Sequence, residues 1–190
     1  MKKFKTSLIS TTLCTSLLFS VNSLAADGTI TFSGSVTASA CTTLVGVSSS
    51  GSTASVSPTI TLPAVTATTL AASGTYAGHT TFTISLTGCA STSALNNVRT
   101  LFTTSSPATT DNFVMENTAI SGADNVGIAI LNSTGTQIDL NGGTSVDAGK
   151  ALPTTSGAVT LSYQAAYKAL STGVTAGPVT GKTDYVISYF

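Results

Sequence analysis

The sequence predicts an all-β protein with an antiparallel, immunoglobulin-like β-sandwich fold. Several segments alternate apolar and polar residues, which places one face of a strand in a core and the other in water. Thr, Ser, Val and Ile recur between Gly and Asn turn signals, and no long stretch keeps an apolar period of 3.6 residues. Short strands separated by such turns favour a sandwich over a barrel.

Residues 1–25 are predicted to be an export signal. Three lysines precede an apolar run from Leu8 to Val21, and Ser23-Leu24-Ala25 suits cleavage after Ala25 or one residue later. The run is short for a membrane span, so an uncut anchor is the less favoured alternative. We therefore expect an exported chain that does not insert into the membrane after cleavage.

The first alternating strand is predicted between Gly28 and Val36. One of its faces consists of Gly28, Ile30, Phe32, Gly34 and Val36. The Ser/Gly/Thr-rich stretch Ser48–Pro58 is predicted to be a loop. Pro63 follows Ile60–Leu62, which indicates a sheet edge or a strand end there. A short helical turn is expected within residues 63–72.

Further strands follow in the middle of the chain. Thr80–Thr87 alternates, with Phe82, Ile84 and Leu86 on its apolar face, while shorter strands are predicted at Val98–Thr103 and Asn112–Met115. Val126–Leu131 is apolar throughout, which is typical of a core strand. Asn132-Ser133-Thr134-Gly135 then predicts a turn into Gln137–Leu140.

Two alternating strands are predicted near the end of the chain. Val159–Lys168 places Tyr163 on the buried face and Ala166 on the wet face. After a loop at Leu170–Lys182, the last strand has one face made of Tyr185, Ile187 and Tyr189. Since no linker or internal repeat interrupts the pattern, we expect one domain after the signal.

Charge and cysteine content limit the possible functions. Charged residues make up 7% of the chain, against roughly 25% in ordinary domains, and no basic stripe suggests nucleic acid as a partner.

Cys14 belongs to the signal, which leaves Cys41 and Cys89. An even pair in an exported protein favours a disulfide over a metal site or a catalytic thiol.

The sequence contains no recognisable motif for catalysis or metal binding. His79 is the only histidine and begins a threonine-rich strand, and no nucleophile elbow is present for it to activate. Sparse acids such as Asp111 and Glu116, or Asp124 and Asp139, show no sign of convergence and are expected to cap turns. We predict no enzymatic activity and no cofactor.

Five spaced motifs resemble the type 1-like major subunits of chaperone–usher fimbriae. They are Gly28–Val36 followed by Ala40-Cys41, Phe82–Cys89, Asn125–Asn132 followed by Gly135, Leu161–Tyr167, and the penultimate Tyr189. The resemblance covers the chain after the signal nearly end to end. The segment between Cys41 and Pro63 is longer and richer in serine than the family pattern.

The resemblance implies a sandwich that lacks its last strand. In such subunits a donor strand from a periplasmic chaperone, and then from a neighbouring subunit at an outer-membrane usher, completes the fold. Residues 26–40 would be the donor segment and 41–190 the pilin domain. Tyr185, Ile187 and Tyr189 would form the groove strand that pairs with the incoming strand. Without the resemblance, an ordinary first strand is an equally good interpretation of Gly28–Val36.

The resemblance also implies a function and a location. The expected function is a structural shaft subunit that forms a homopolymer with copies of itself and supports cell adhesion. The expected location is an extracellular fimbrium on the cell surface, reached through the periplasm. A minor adaptor of the same fimbria is the closest alternative, followed by a tip adhesin or lectin and by a secreted hydrolase.

Overall fold

The computed structural model describes residues 40–49, 51–143 and 147–190. The predicted export signal and the predicted strand Gly28–Val36 lie outside these residues. Within the described residues the chain forms nine strands and one short 3-10 helix, Ala67–Leu70. The strands are β1 Thr43–Ser49, β2 Tyr76–Cys89, β3 Asn97–Thr103, β4 Pro107–Ala108, β5 Asp111–Glu116, β6 Val126–Asn132, β7 Lys150–Ala151, β8 Gly157–Ala169 and β9 Asp184–Tyr189.

The strands form two antiparallel sheets, which confirms the predicted fold class. The larger sheet has the order β1-β2-β8-β6-β5-β4 and the smaller one the order β7-β3-β9. Alternation decides which side chains enter the core, because successive residues of a strand point to opposite faces. Phe82, Ile84 and Leu86 of β2 are all buried, as predicted, and pack against Val98 and Phe102 of β3.

β6 is buried on both faces, in agreement with the predicted core strand. Its neighbour β8 departs from the prediction at Ala166, which was placed on the wet face and is fully buried. Ala166 packs outside the larger sheet with Val114, Ala129 and Leu131 in a second small apolar cluster. The predicted alternation of β8 is observed, but residues of β5 and β6 cover its outer face at Ala166.

The predicted loop Ser48–Pro58 is partly wrong, because β1 continues to Ser49. Ser55 then folds back onto β1, and its backbone exchanges hydrogen bonds of 2.7 and 2.9 Å with Val47. Gly46 permits this close approach. It has a φ of 125°, and a Cβ there would lie 2.7 Å from the carbonyl carbon of Ser55.

The remaining turns follow the prediction more closely. Asn132 Oδ1 accepts hydrogen bonds from the backbone N–H groups of Thr134 and Thr136, and Gly135 ends the turn with a φ of 82°. The turn leads into residues 137–140 as predicted, and there Gln137 forms an isolated bridge with Leu131. The stretch from residue 170 to 182 contains no strand, as expected.

The predicted disulfide is present between Cys41 and Cys89. Both residues are buried, and the bond ties the start of the described chain to the end of β2. No helix among residues 40–49, 51–143 and 147–190 has the length and apolar character needed to cross a bilayer.

Candidate functional site

A long groove of about 1070 Å³ opens between the two sheets. Its floor is formed by apolar side chains that belong to the main core. These side chains are Phe82, Ile84, Phe102, Met115, Ile128, Ile130 and Ala165. Because core side chains form its floor, the groove is an opening into the sandwich and not a shallow surface depression.

One wall of the groove is β9, which has an open edge. Among the described residues, β3 is the only strand that pairs with β9. Asn97 and Phe190 exchange both backbone hydrogen bonds, at 2.8 and 3.1 Å. Hydrogen-bonded pairs alternate along an antiparallel ladder, so Tyr185 and Ile187 direct their N–H and C=O groups away from β3 and towards the groove.

The side chains of β9 follow the predicted alternation. Tyr185, Ile187 and Tyr189 lie on one face and are half-buried against the core, while Val186 between them is 61% exposed. The structure thus brings the three predicted residues together on the inner face of an edge strand. An open edge above an apolar groove is a template for strand pairing.

The opposite wall is the segment 56–62, which forms no strand. Ile60 and Leu62 turn their side chains towards the core, and both line the groove. The hydroxyl of Tyr185 donates a hydrogen bond of 3.1 Å to the carbonyl oxygen of Val56 and so links the two walls.

The segment before β9 extends the first wall. Lys182 and Thr183 line the groove together with Val179. Thr183 Oγ1 donates to the carbonyl of Thr103 at 2.8 Å, and Thr104 Oγ1 donates to the carbonyl of Lys182 at 2.9 Å. These bonds fasten the segment to the end of β3, so this wall has a fixed position.

The groove favours an uncharged occupant. Lys182 and Asp184 are the charged members of its lining, and most of the other lining residues are apolar or carry a hydroxyl group. The Tyr185 hydroxyl, whose pKa is raised by burial above the ordinary 10.0, is protonated at neutral pH and can act as a donor. An extended peptide with alternating apolar side chains matches both the open backbone edge and the apolar floor.

The residues weighed as possible catalytic groups have other roles. His79 is exposed on β2, and its Nδ1 lies 3.2 Å from Oε1 of Gln164. Asp124 accepts a hydrogen bond from Thr175, and Asp139 accepts one from the backbone of Asn141. In the part of the chain that the structure describes, no three His, Cys, Asp or Glu side chains are placed to share a metal ion.

Asp111 takes part in an ion pair on the outer face of the larger sheet. Its Oδ2 lies 2.6 Å from Nζ of Lys168, which also donates to Oε1 of Gln137. Burial opposes ionisation of Asp111, but hydrogen bonds from Lys168 and from the backbone of Phe113 hold its pKa below the ordinary value. This group fastens β5 to β8 and does not face the groove.

Sequence reasoning missed the second wall of the groove. Pro58 and Pro63 bracket the alternating pair Ile60 and Leu62, and that pattern was a usable signal for an extended segment against the core. No local pattern indicated that Val56 lies within hydrogen-bonding distance of Tyr185, because 129 residues separate them.

Comparisons with known proteins agree with this architecture. The family model described as "Fimbrial protein" matches residues 30–189. The chain is 40% identical to the F17 fimbrial protein of Escherichia coli, over 87% of this chain and 89% of that protein. It is 34% identical to the major fimbrial subunit SMF-1 of Stenotrophomonas maltophilia, over 87% and 94% of the two chains.

A solved structure also shares the fold. A chain in the structure of a chaperone–usher pilus with an uncoiling rod superimposes with a TM-score of 0.57. The match covers 87% of this chain and 96% of that chain, at 20% sequence identity. At this identity the likeness concerns the fold, and it agrees with the immunoglobulin-like arrangement predicted from the strand pattern.

Proposed function

Because this chain belongs to the fimbrial protein family, whose members are structural subunits and not enzymes, we propose that it polymerises by strand exchange through the groove. The chain is a structural subunit that associates with copies of itself in a surface fimbrium. In the proposed mechanism, an extended segment of one copy lies in the groove of the next and pairs with β9.

The open edge of β9 above the apolar groove is the observation that carries this proposal. A strand laid there would accept and donate main-chain hydrogen bonds at Tyr185 and Ile187. It would also cover the core side chains of the floor. An open edge of this kind promotes aggregation unless another chain covers it. A partner strand would therefore both prevent aggregation and join two subunits.

Residues 26–40 are the proposed donor segment. Burying the side chains of Ile30, Phe32 and Val36 would contribute about 1.5–3 kcal/mol each. Gly34 would face a shallow part of the groove, where any side chain costs about 1–3 kcal/mol through overpacking. The polar residues between them would face water, as the alternation requires.

We further propose that a periplasmic chaperone fills the groove before another subunit does, and that an outer-membrane usher directs the exchange. The solved chaperone–usher pilus shares the fold of this chain and supports that route.

A shaft subunit is the proposed role within the fimbria. The match to a major fimbrial subunit over 87% of the chain supports it, since a major subunit forms the body of a fibre. A minor adaptor is the alternative. The abundance of the chain in purified fibres distinguishes them, because a shaft subunit dominates and an adaptor is rare.

Photo-crosslinking tests strand exchange directly. A photoreactive residue at Thr59, an exposed position on the groove wall, should crosslink to residues 26–40 of another copy and give a ladder of multimers. The same residue at Thr81, exposed on β2 outside the groove, is the matched control and should give no ladder. Crosslinks from Thr59 that stay within one chain, or reach other parts of a second copy, would contradict the proposal.

A further inference from the structure

The hydrogen bond from Tyr185 to Val56 crosses the groove. Tyr185 belongs to β9 in the smaller sheet, whereas Val56 follows Ser55, which is paired with β1 in the larger sheet. Both residues line the groove. The bond therefore connects the two walls that an incoming strand must lie between.

The acceptor of this bond is held firmly. Ser55 exchanges two backbone hydrogen bonds with Val47, and the absence of a side chain at Gly46 allows that close contact. The chain direction at Val56, and with it the position of its carbonyl group, is set by this pairing. The Ser/Gly/Thr-rich segment thus has a structural role, since it presents a fixed acceptor to Tyr185.

The donor is positioned by packing. The ring of Tyr185 is half-buried against the core and lines the groove. The hydrogen bond itself is exposed to solvent, so its net contribution is that of an ordinary hydrogen bond or less. It joins the two walls while no donor strand lies between them, and in that way it opposes the entry of one.

We propose that the hydrogen bond from the Tyr185 hydroxyl to Val56, here called the strap, must break before a donor strand can bind in the groove. This inference rests on the proposed strand exchange and concerns its rate. Tyr185→Phe removes the strap and keeps the ring. If the strap must break before the donor strand binds, Tyr185→Phe should bind a donor strand between about twofold and tenfold faster than the wild type. This factor corresponds to the free energy of one ordinary hydrogen bond.

The test uses the full chain, exported and purified from cells, and a fluorescent synthetic peptide with the sequence of residues 26–40. The rate of peptide capture is followed by fluorescence anisotropy. Each protein carries its own residues 26–40, so competition from that segment is the same in every variant. Tyr167→Phe is the matched control, because Tyr167 lines the same groove from β8 without bridging it.

Faster capture by Tyr185→Phe alone supports the strap. Equal rates for the wild type and Tyr185→Phe would overturn it and leave strand exchange intact, because both proteins still take up the peptide. Equal acceleration by Tyr167→Phe would also overturn it, since any lost hydroxyl would then loosen the groove. If neither the wild type nor a variant captures the peptide, strand exchange fails, and the strap fails with it.

Discussion

The ring of Phe82 on β2 meets the ring of Phe102 on β3 edge to face, with their centroids 6.3 Å apart. Phe102 makes a second edge-to-face contact with Tyr163 of β8, at 5.0 Å. The three rings join the two sheets, and those of Phe82 and Phe102 form part of the groove floor. Aromatic pairs in this geometry contribute about 0.5–1.5 kcal/mol beyond their burial, so side chains of the groove floor also hold the two sheets together.

Phe102→Ala should lower the free energy of unfolding by about 3–5 kcal/mol, because it removes two ring contacts and leaves a cavity between the sheets. Denaturant unfolding followed by circular dichroism measures the change. Phe113→Ala is the control, since Phe113 is 38% exposed on β5, and its loss should be clearly smaller. Equal losses for the two variants would mean that the floor rings do not join the sheets.

The disulfide should stabilise the subunit because it closes a loop in the unfolded chain and so lowers that chain's conformational entropy. Cys41 and Cys89 are 48 residues apart, and closing a loop of that length is worth about 4 kcal/mol in the chain-entropy model. Replacing both cysteines with serine avoids a leftover thiol and should lower the unfolding midpoint and the amount of subunit in the periplasm. Unchanged amounts on an immunoblot of periplasmic extract would show that the bond is dispensable.

The strand pattern was predictable because alternation is a local property of the sequence. Phe82, Ile84 and Leu86 could be assigned to the core from residues 80–87 alone. Ala166 could not be assigned correctly from β8 alone. Its burial depends on Val114 of β5, and no pattern within β8 indicates what covers its outer face.

The candidate site was predictable in part. The inner face of β9 followed from the alternation of Tyr185, Ile187 and Tyr189, although their role in strand exchange remains a proposal. For the second wall, the sequence indicated an extended segment at Ile60 and Leu62 but not its place opposite β9. Residues 56–62 take no regular structure, and the position of Val56 depends on tertiary pairing of the preceding segment with β1.

The ion pair of Asp111 and Lys168 should make stability depend on pH. The pKa of Asp111 is lower in the folded chain than its ordinary value of 3.8. Its contribution is therefore present above pH 3.8 and is lost as the pH falls through the folded value. The pKa of Lys168 is raised above 10.5, so its contribution is present below that pH and is lost as the pH rises through the folded value.

Asp111→Asn should therefore lower the unfolding midpoint at pH 7, and the difference from the wild type should shrink in acid. Denaturant titrations at neutral pH and near pH 3 measure it. Glu116→Gln is the control: Glu116 is exposed on the same strand and has no ion pair within the described residues. A difference between Asp111→Asn and the wild type that stays constant with pH would argue against the ion pair.

Gly34→Arg should stop fibre growth without preventing export. The alternation of Gly28–Val36 places Gly34 on the face proposed to enter the groove of a neighbour, where an arginine would meet apolar floor residues and bury a charge. Electron microscopy of cell surfaces and immunoblots of the periplasm measure fibres and subunit separately. The expected result is normal periplasmic subunit with few or no fibres.

The matched control for Gly34→Arg is Ser35→Arg, one residue further along. Side chains alternate along a strand, so an arginine at position 35 should face water and leave fibre assembly close to normal. The two variants add the same charge to the same segment and differ only in the face that carries it. Normal fibres from Gly34→Arg, or equal loss of fibres from both variants, would contradict the assignment of this segment as an alternating donor strand.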